Sequence, residues 1–136
     1  MMRSLAEQPP SLPFDEREIH AALEKFLSLP EFGRAWLICF EDKTVGYIIL
    51  TIGFSFEFRG TDAFVDELYV EPEYRRKGYA RKTINFVEMQ ARKYGVNALH
   101  LEVDRENEAA LELYRRAGYI DHGRYLMSKW LRPPPQ

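Results

Sequence analysis

The sequence predicts an α/β fold built on a mixed, mostly antiparallel sheet flanked by helices. Three observations predict it. Between Arg34 and Val70, three runs rich in apolar, β-branched and aromatic residues are separated by short turns. From Gly78 to Tyr94, the apolar residues Ala80, Ile84, Val87, Ala91 and Tyr94 recur at helical spacing. Beyond Gly95, strand-like and helix-like stretches alternate to the end of the chain.

The elements follow in order. Residues 1–14, with Pro9, Pro10 and Pro13, read as an irregular leader. Asp15 is placed to cap a helix running to about Leu29, with Ile19, Ala22, Leu23, Phe26 and Leu27 on one stripe. Pro30 and Gly33 end it. Arg34 to Glu41 reads as a buried strand, and Cys39 within it as a packed core thiol. Glu41-Asp42-Lys43 turns the chain. Val45 to Phe56 is a second strand, with Gly46 and Gly53 as bulge positions. Arg59-Gly60-Thr61 turns again, and Ala63 to Val70 is a third strand. On simple alternation, Asp66 lies with Leu68 and Val70, and Glu67 with Tyr69.

In the helix from Gly78 to Tyr94, Arg81, Lys82, Asn85, Glu88 and Arg92 occupy the polar face. Gly95 stops it. Ala98 to Val103 is a strand and Glu106 to Ala117 a helix, closed by Gly118. Alternation of Tyr125, Met127 and Lys129 with Leu126, Ser128 and Trp130 predicts a last strand over Gly123 to Trp130. Residues 132–136 read as a flexible tail. The expected organisation is one domain over residues 15–131.

Bulk properties narrow the function. A chain of 136 residues suits one core. A net charge of −2 gives no general attraction to nucleic acid or anionic membrane. No apolar run approaches the roughly 20 residues of a membrane span. A single cysteine forbids an internal disulfide, and a cytoplasmic protein is the simplest expectation. His20, His100 and His122 lack metal-ligand spacing, so no metal site is expected.

The stretch Arg75-Arg76-Lys77-Gly78-Tyr79-Ala80 sits between a strand and a helix. Gly78 and Ala80 let main-chain N–H groups approach an anion closely. The first helical turn leaves its N–H groups unbonded, and the helix dipole adds positive potential. Arg75, Arg76, Lys77 and Arg81 add cations, an arrangement suited to a pyrophosphate. The same basic residues could serve a nucleic-acid binder. Net acidity and the lack of interleaved exposed aromatics argue against that use.

The pattern Arg75-x-x-Gly78-x-Ala80, preceded by Glu67-Leu68-Tyr69-Val70-Glu71-Pro72, resembles the signature of the GNAT superfamily of N-acetyltransferases. Leu101-Glu102-Val103, then Asn107, Ala110, Leu113-Tyr114 and Gly118-Tyr119, resembles that family's second block. The resemblance covers roughly residues 34–131 and implies acetyl-CoA as cosubstrate. It implies that the main chain around Leu68, Tyr69 and Val70 receives the pantetheine arm between two splayed strands. It implies that N–H groups from Arg76 to Arg81, Tyr79 included, hold the pyrophosphate, and that Asn107 bonds near the pantetheine. The family's first strand has no counterpart before Asp15. That difference leads to the expectation of a homodimer covering a sheet edge.

Acetyl transfer needs a neutral amine, a stabilised carbonyl oxygen and a departing thiolate. Neutralising an alkyl amine of pKa about 10.4 at pH 7 costs roughly 4–5 kcal/mol, so a carboxylate base is expected. Asp66, Glu67 and Glu102 are the candidates. Asp66 matches the acid of diamine acetyltransferases, and Glu102 the base of ribosomal-protein amino-terminal acetyltransferases. Phe64 occupies the position of the histone-modifying branch's base, so that arrangement is absent. Tyr114 is the expected proton donor to the thiolate, and the Val70 N–H the expected oxyanion donor. His100, two residues from Glu102, reads as a relay or a packed histidine. The expected activity is transfer from acetyl-CoA to a small cationic amine by direct attack in a ternary complex. The alternatives are a peptide amino terminus as acceptor, or a non-catalytic acyl-CoA-binding module.

Overall fold

The computed structural model describes residues 16–132. The leader and Asp15, the proposed helix cap, lie outside the described residues. Helix α1 spans Glu16–Leu27 and leads through a 3-10 turn into strand β1, Gly33–Phe40. Strands β2, Lys43–Ser55, and β3, Gly60–Val70, complete an antiparallel meander. Helix α2, Tyr79–Lys93, then crosses to β4, Ala98–Leu101, which pairs parallel to β3. Helix α3, Glu108–Arg116, follows. The sheet order is β1-β2-β3-β4, with three strands antiparallel and one parallel.

The core lies between one face of the sheet and α2. Ile48 and Leu50 from β2, Ala63 and Val65 from β3, and Ile84 and Val87 from α2 form one buried cluster. The i, i+3, i+7 spacing of Ile84, Val87 and Ala91 puts all three on the face turned to the sheet, and all are buried. Trp36 of β1 meets Phe86 of α2 edge-on, with ring centroids 5.5 Å apart. Tyr114 and Tyr119 pack at the cluster's margin.

Four expectations are corrected. Strand β1 is not buried. It forms the edge of the sheet among the described residues, with Leu37 and Phe40 exposed, and Cys39 is exposed too. Gly53 is not a bulge position, because it pairs regularly with Asp62, whereas Gly46 flanks the β1–β2 register shift, where Val45 is the extra residue. Gly46 also permits a close approach. A Cβ there would lie 2.2 Å from the carbonyl oxygen of Tyr69. The strand after Gly95 is shorter than its apolar pattern, because its ladder with β3 ends at Leu101.

No strand forms over Gly123 to Trp130. Alternation supplies a pattern but no ladder partner. Side chains hold this segment: Arg124 makes a two-pronged ion pair with Glu57 at 3.0 Å, and the Arg105 guanidinium lies 5.3 Å over the Tyr125 ring.

Ile84→Ala should cost about 2–5 kcal/mol, because it deletes a fully buried side chain from the sheet–helix seam. Leu126→Ala, at an exposed position, should change stability by less than about 0.5 kcal/mol. Urea unfolding of the two variants checks both.

Candidate functional site

The β2–β3 ladder slips once. Ile49 stands opposite Glu67 and Leu50 opposite Val65, so Asp66 is an extra residue in β3. The slip reverses the alternation beyond it. Ala63 and Val65 face the core before the bulge, whereas Leu68 and Val70 do so after it. Simple alternation had grouped Asp66 with Leu68 and Val70. The bulge removes it from that face and sets Asp66 and Glu67 side by side on the opposite one.

That face has its own chemistry. The cross-strand pair Tyr47 and Tyr69 stack with centroids 5.7 Å apart, next to Glu67. Glu67 is half-buried, and its pKa is pushed up to about 7 by burial first and by the Asp66 charge second. Asp66 stays more open, yet the protein around its carboxyl raises its pKa as well. Two neighbouring carboxyls that resist ionisation together hold a proton near neutral pH.

The same region opens a cleft. Strand β4 pairs with β3 only over Asp62–Val65, so the ladder stops one residue before the acids. Glu71 N–H donates to Val45 C=O at 2.8 Å. Antiparallel alternation then makes Tyr69 the bonded partner of Tyr47 and turns the main-chain groups of Leu68 and Val70 away from β2, toward the space β4 leaves.

After a 3-10 turn at Pro72–Tyr74, the chain enters α2 through two left-handed residues, Arg76 at φ 60° and Gly78 at φ 87°. A Cβ at Gly78 would meet nothing within 4 Å, so the glycine serves backbone conformation and leaves open space above the loop. No side chain caps α2, and its first turn carries no acid. The first rung of its ladder runs from Lys82 N–H to Gly78 C=O at 3.1 Å. The N–H groups of Tyr79, Ala80 and Arg81 therefore precede any helical acceptor. Arg76, Lys77 and Arg81 are exposed around them.

Arg75 has another setting. Its Nε donates to Val70 C=O at 2.8 Å, and its guanidinium lies 5.5 Å over the Tyr69 ring. The Tyr69 hydroxyl donates to Glu71 at 3.2 Å. Arg75 thus ties the loop to the end of β3.

Asn107 caps α3, its Oδ1 accepting from Ala110 N–H at 3.1 Å, which leaves its amide NH2 as a donor. Tyr114 packs against the core margin and meets Tyr119 edge-on, and burial raises its pKa. Glu102 is exposed just past the end of β4. His100 does not act with Glu102 here. Its Nε2 lies 3.1 Å from Asp62 Oδ2. The sequence offered Glu67 as one of three candidate acids, and the resemblance matched only Asp66 and Glu102 to a family base. The bulge that promotes it leaves no mark in residue type. Among the described residues no group of metal-ligating side chains converges.

The acetyltransferase (GNAT) family model matches residues 1–119. Thialysine N-epsilon-acetyltransferase of Bos taurus is 34% identical over 77 residues, covering 57% of this chain and 45% of that protein. The match thus spans less than half of that curated relative. An integron cassette protein from the mobile metagenome of Cole Harbour Salt Marsh superposes with a TM-score of 0.78 at 35% identity, covering 90% of this chain and 75% of the other. A solved AAC(6')-Iy, crystallised with a CoA-containing bisubstrate analogue, shares the fold at a TM-score of 0.77 and 15% identity, covering 96% of this chain and 86% of the other.

Glu67 sets a pH dependence whose sign is fixed. Its folded pKa, about 7, exceeds its usual value of 4.5, so the folded state holds this proton more tightly than the unfolded chain. Stability from this group falls as pH rises from about 4.5 to 7. Glu67→Gln should therefore raise Tm relative to wild type at pH 8 and change it little at pH 5. Differential scanning fluorimetry at the two pH values reads this directly.

Proposed function

The chain belongs to the GNAT acetyltransferase family, and from that membership we propose that it transfers the acetyl group of acetyl-CoA to a small cationic primary amine by direct attack in a ternary complex. The observation that carries the proposal is the Asp66–Glu67 pair, set by a bulge beside the gap between β3 and β4. The bovine relative is named as an acetyltransferase of thialysine, which supports an amine acceptor.

Each residue's role follows from its placement. The open N–H groups at the start of α2 and the cations Arg76, Lys77 and Arg81 bind the pyrophosphate, for which the room above Gly78 is suited. The Leu68 main chain pairs with the pantetheine amides, while the Val70 C=O accepts from Arg75. Asn107 offers its free amide NH2 to the same arm. Acetyl-CoA supplies an activated acyl group with a thiol leaving group. Glu67, with a pKa near 7, takes the proton from the incoming ammonium so that the neutral amine attacks. Burial, and after it the Asp66 charge, keep that pKa high, and Asp66 adds negative potential that attracts a cation. The Val70 N–H, turned into the cleft, meets the developing oxyanion. Tyr114, whose raised pKa keeps its phenol protonated, gives its proton to the departing thiolate.

Glu102, the expected base for a peptide amino terminus, stands exposed beyond the β4 ladder. Glu67 is the better-placed base, which favours the small-amine reading.

Acetyl-CoA should raise Tm by several degrees, and Gly78→Glu should abolish that shift because a carboxylate would occupy the phosphate's place. A shift retained in the variant would move the cosubstrate site elsewhere. In a thiol-release assay with a panel of amines, kcat/KM should rise through a limb near pH 7. That limb should vanish in Glu67→Gln. Tyr114→Phe should lower kcat by about 10- to 100-fold with little change in acetyl-CoA affinity. Equal loss of both would mark Tyr114 as structural.

A further inference from the structure

The sheet face that carries Glu67 continues toward the β2–β3 hairpin with a second group of side chains. The residues of β2 opposite this stripe are Ile49, Thr51 and Gly53, two apart and therefore on one face. Their partners are Glu67, Phe64 and Asp62. Ile49 and Gly53 are four residue steps apart along β2, so Glu67 and Asp62 lie about 13 Å apart along the strands. Phe64 lies midway and is 39% exposed.

Asp62 is held but not neutralised by a fixed cation. Among the described ion pairs, its partner is His100, with no lysine or arginine. A carboxylate only accepts, so this contact places the imidazole proton on Nε2, donating to Oδ2. The imidazole is flanked by Phe58 and Phe64, each with its ring centroid 5.0 Å away, which fixes its plane. The second oxygen, Oδ1, faces Gly53. A Cβ there would stand 3.0 Å from it, and glycine leaves that approach open.

We propose that Asp62, oriented by His100 and approached across Phe64, is a distal subsite that selects acceptors carrying a second cationic group roughly 10–13 Å from the reacting amine. This rests on the acetyltransferase reading of Glu67 and adds to it a rule for acceptor length. The reacting amine lies at Glu67, an aliphatic spacer crosses the Phe64 ring, and the distal ammonium donates to Asp62 Oδ1. Gly53 and Asp62 are specificity residues, and His100 is a positioning residue. None of them touches the acetyl group.

The test compares long α,ω-diamines with n-alkylamines of equal length. Wild-type protein should favour the diamine in KM by at least about tenfold, since a hydrogen bond between charged groups is lost with the monoamine. Asp62→Asn should erase that preference, leaving kcat and the monoamine KM within about twofold. Gly53→Ala, which narrows access to Oδ1 at a position without left-handed backbone, should weaken the diamine in the same selective way. Equal losses for both amines, or an unchanged diamine preference in Asp62→Asn, would overturn the proposal. Calorimetric binding of the same amines to the acetyl-CoA-free protein separates the two readings. A diamine preference abolished by Asp62→Asn, without turnover of either amine, would sink the acetyltransferase reading and keep the subsite. Turnover of both amines with equal affinity would do the reverse.

Discussion

One extra residue in β3 organises the site. With a regular ladder, Glu67 would face the core and Leu68 would face away from it. A buried carboxylate would then stand where Leu68 packs against Ile48 and the α2 side chains. The insertion of Asp66 resets the alternation, so the core receives Leu68 and Val70 and the opposite face receives two carboxyls. Desolvation there is incomplete, with Asp66 exposed and Glu67 half-buried. The pKa of Glu67 near 7 follows from this placement, since burial and the adjacent Asp66 act in the same direction.

The bulge is matched by the early end of the β4 ladder. A β4 paired along the whole of β3 would occupy the main-chain groups of Leu68 and Val70. Because pairing stops at Val65, those groups stay turned toward a gap beside the acids. The loop after β3 is tied to the same strand end by Arg75, through its bond to Val70 and its contact with Tyr69. The two carboxyls, the gap and the uncapped start of α2 are therefore arranged by one strand and its exit. Displacing β3 would disturb all three together.

The opposite end of that face differs in character. Near Asp62, the His100 imidazole meets the carboxylate and two phenylalanine rings, with a glycine beside the remaining oxygen. The acids at the bulge hold a proton, whereas Asp62 accepts one donor from His100 and retains an oxygen for another. Side chains also hold the segment after α3 at this end, through Arg124 and Glu57.

Much of this was legible in the sequence. The helical period of Ile84, Val87 and Ala91 determined the buried face of α2, and the turns at Glu41 and Arg59 determined the meander. Arg75, Gly78 and Ala80 marked the turn into α2, where Gly78 takes a positive φ before a helix start that no side chain caps. The tertiary structure decided the rest. A bulge is a choice of register between two strands, and nothing in the identity of Asp66 announces it. The exposure of Cys39 goes with β1 lying at the edge of the sheet among the described residues, which is a matter of strand order rather than of composition. The alternation from Gly123 to Trp130 predicted a strand that the fold does not form, because a strand exists only where a neighbour accepts its hydrogen bonds. The meeting of His100 with Asp62, 38 residues apart, required the parallel pairing of β4 with β3. Local pattern fixes which face a residue prefers. Only the long-range pairing of strands decides what that face will meet.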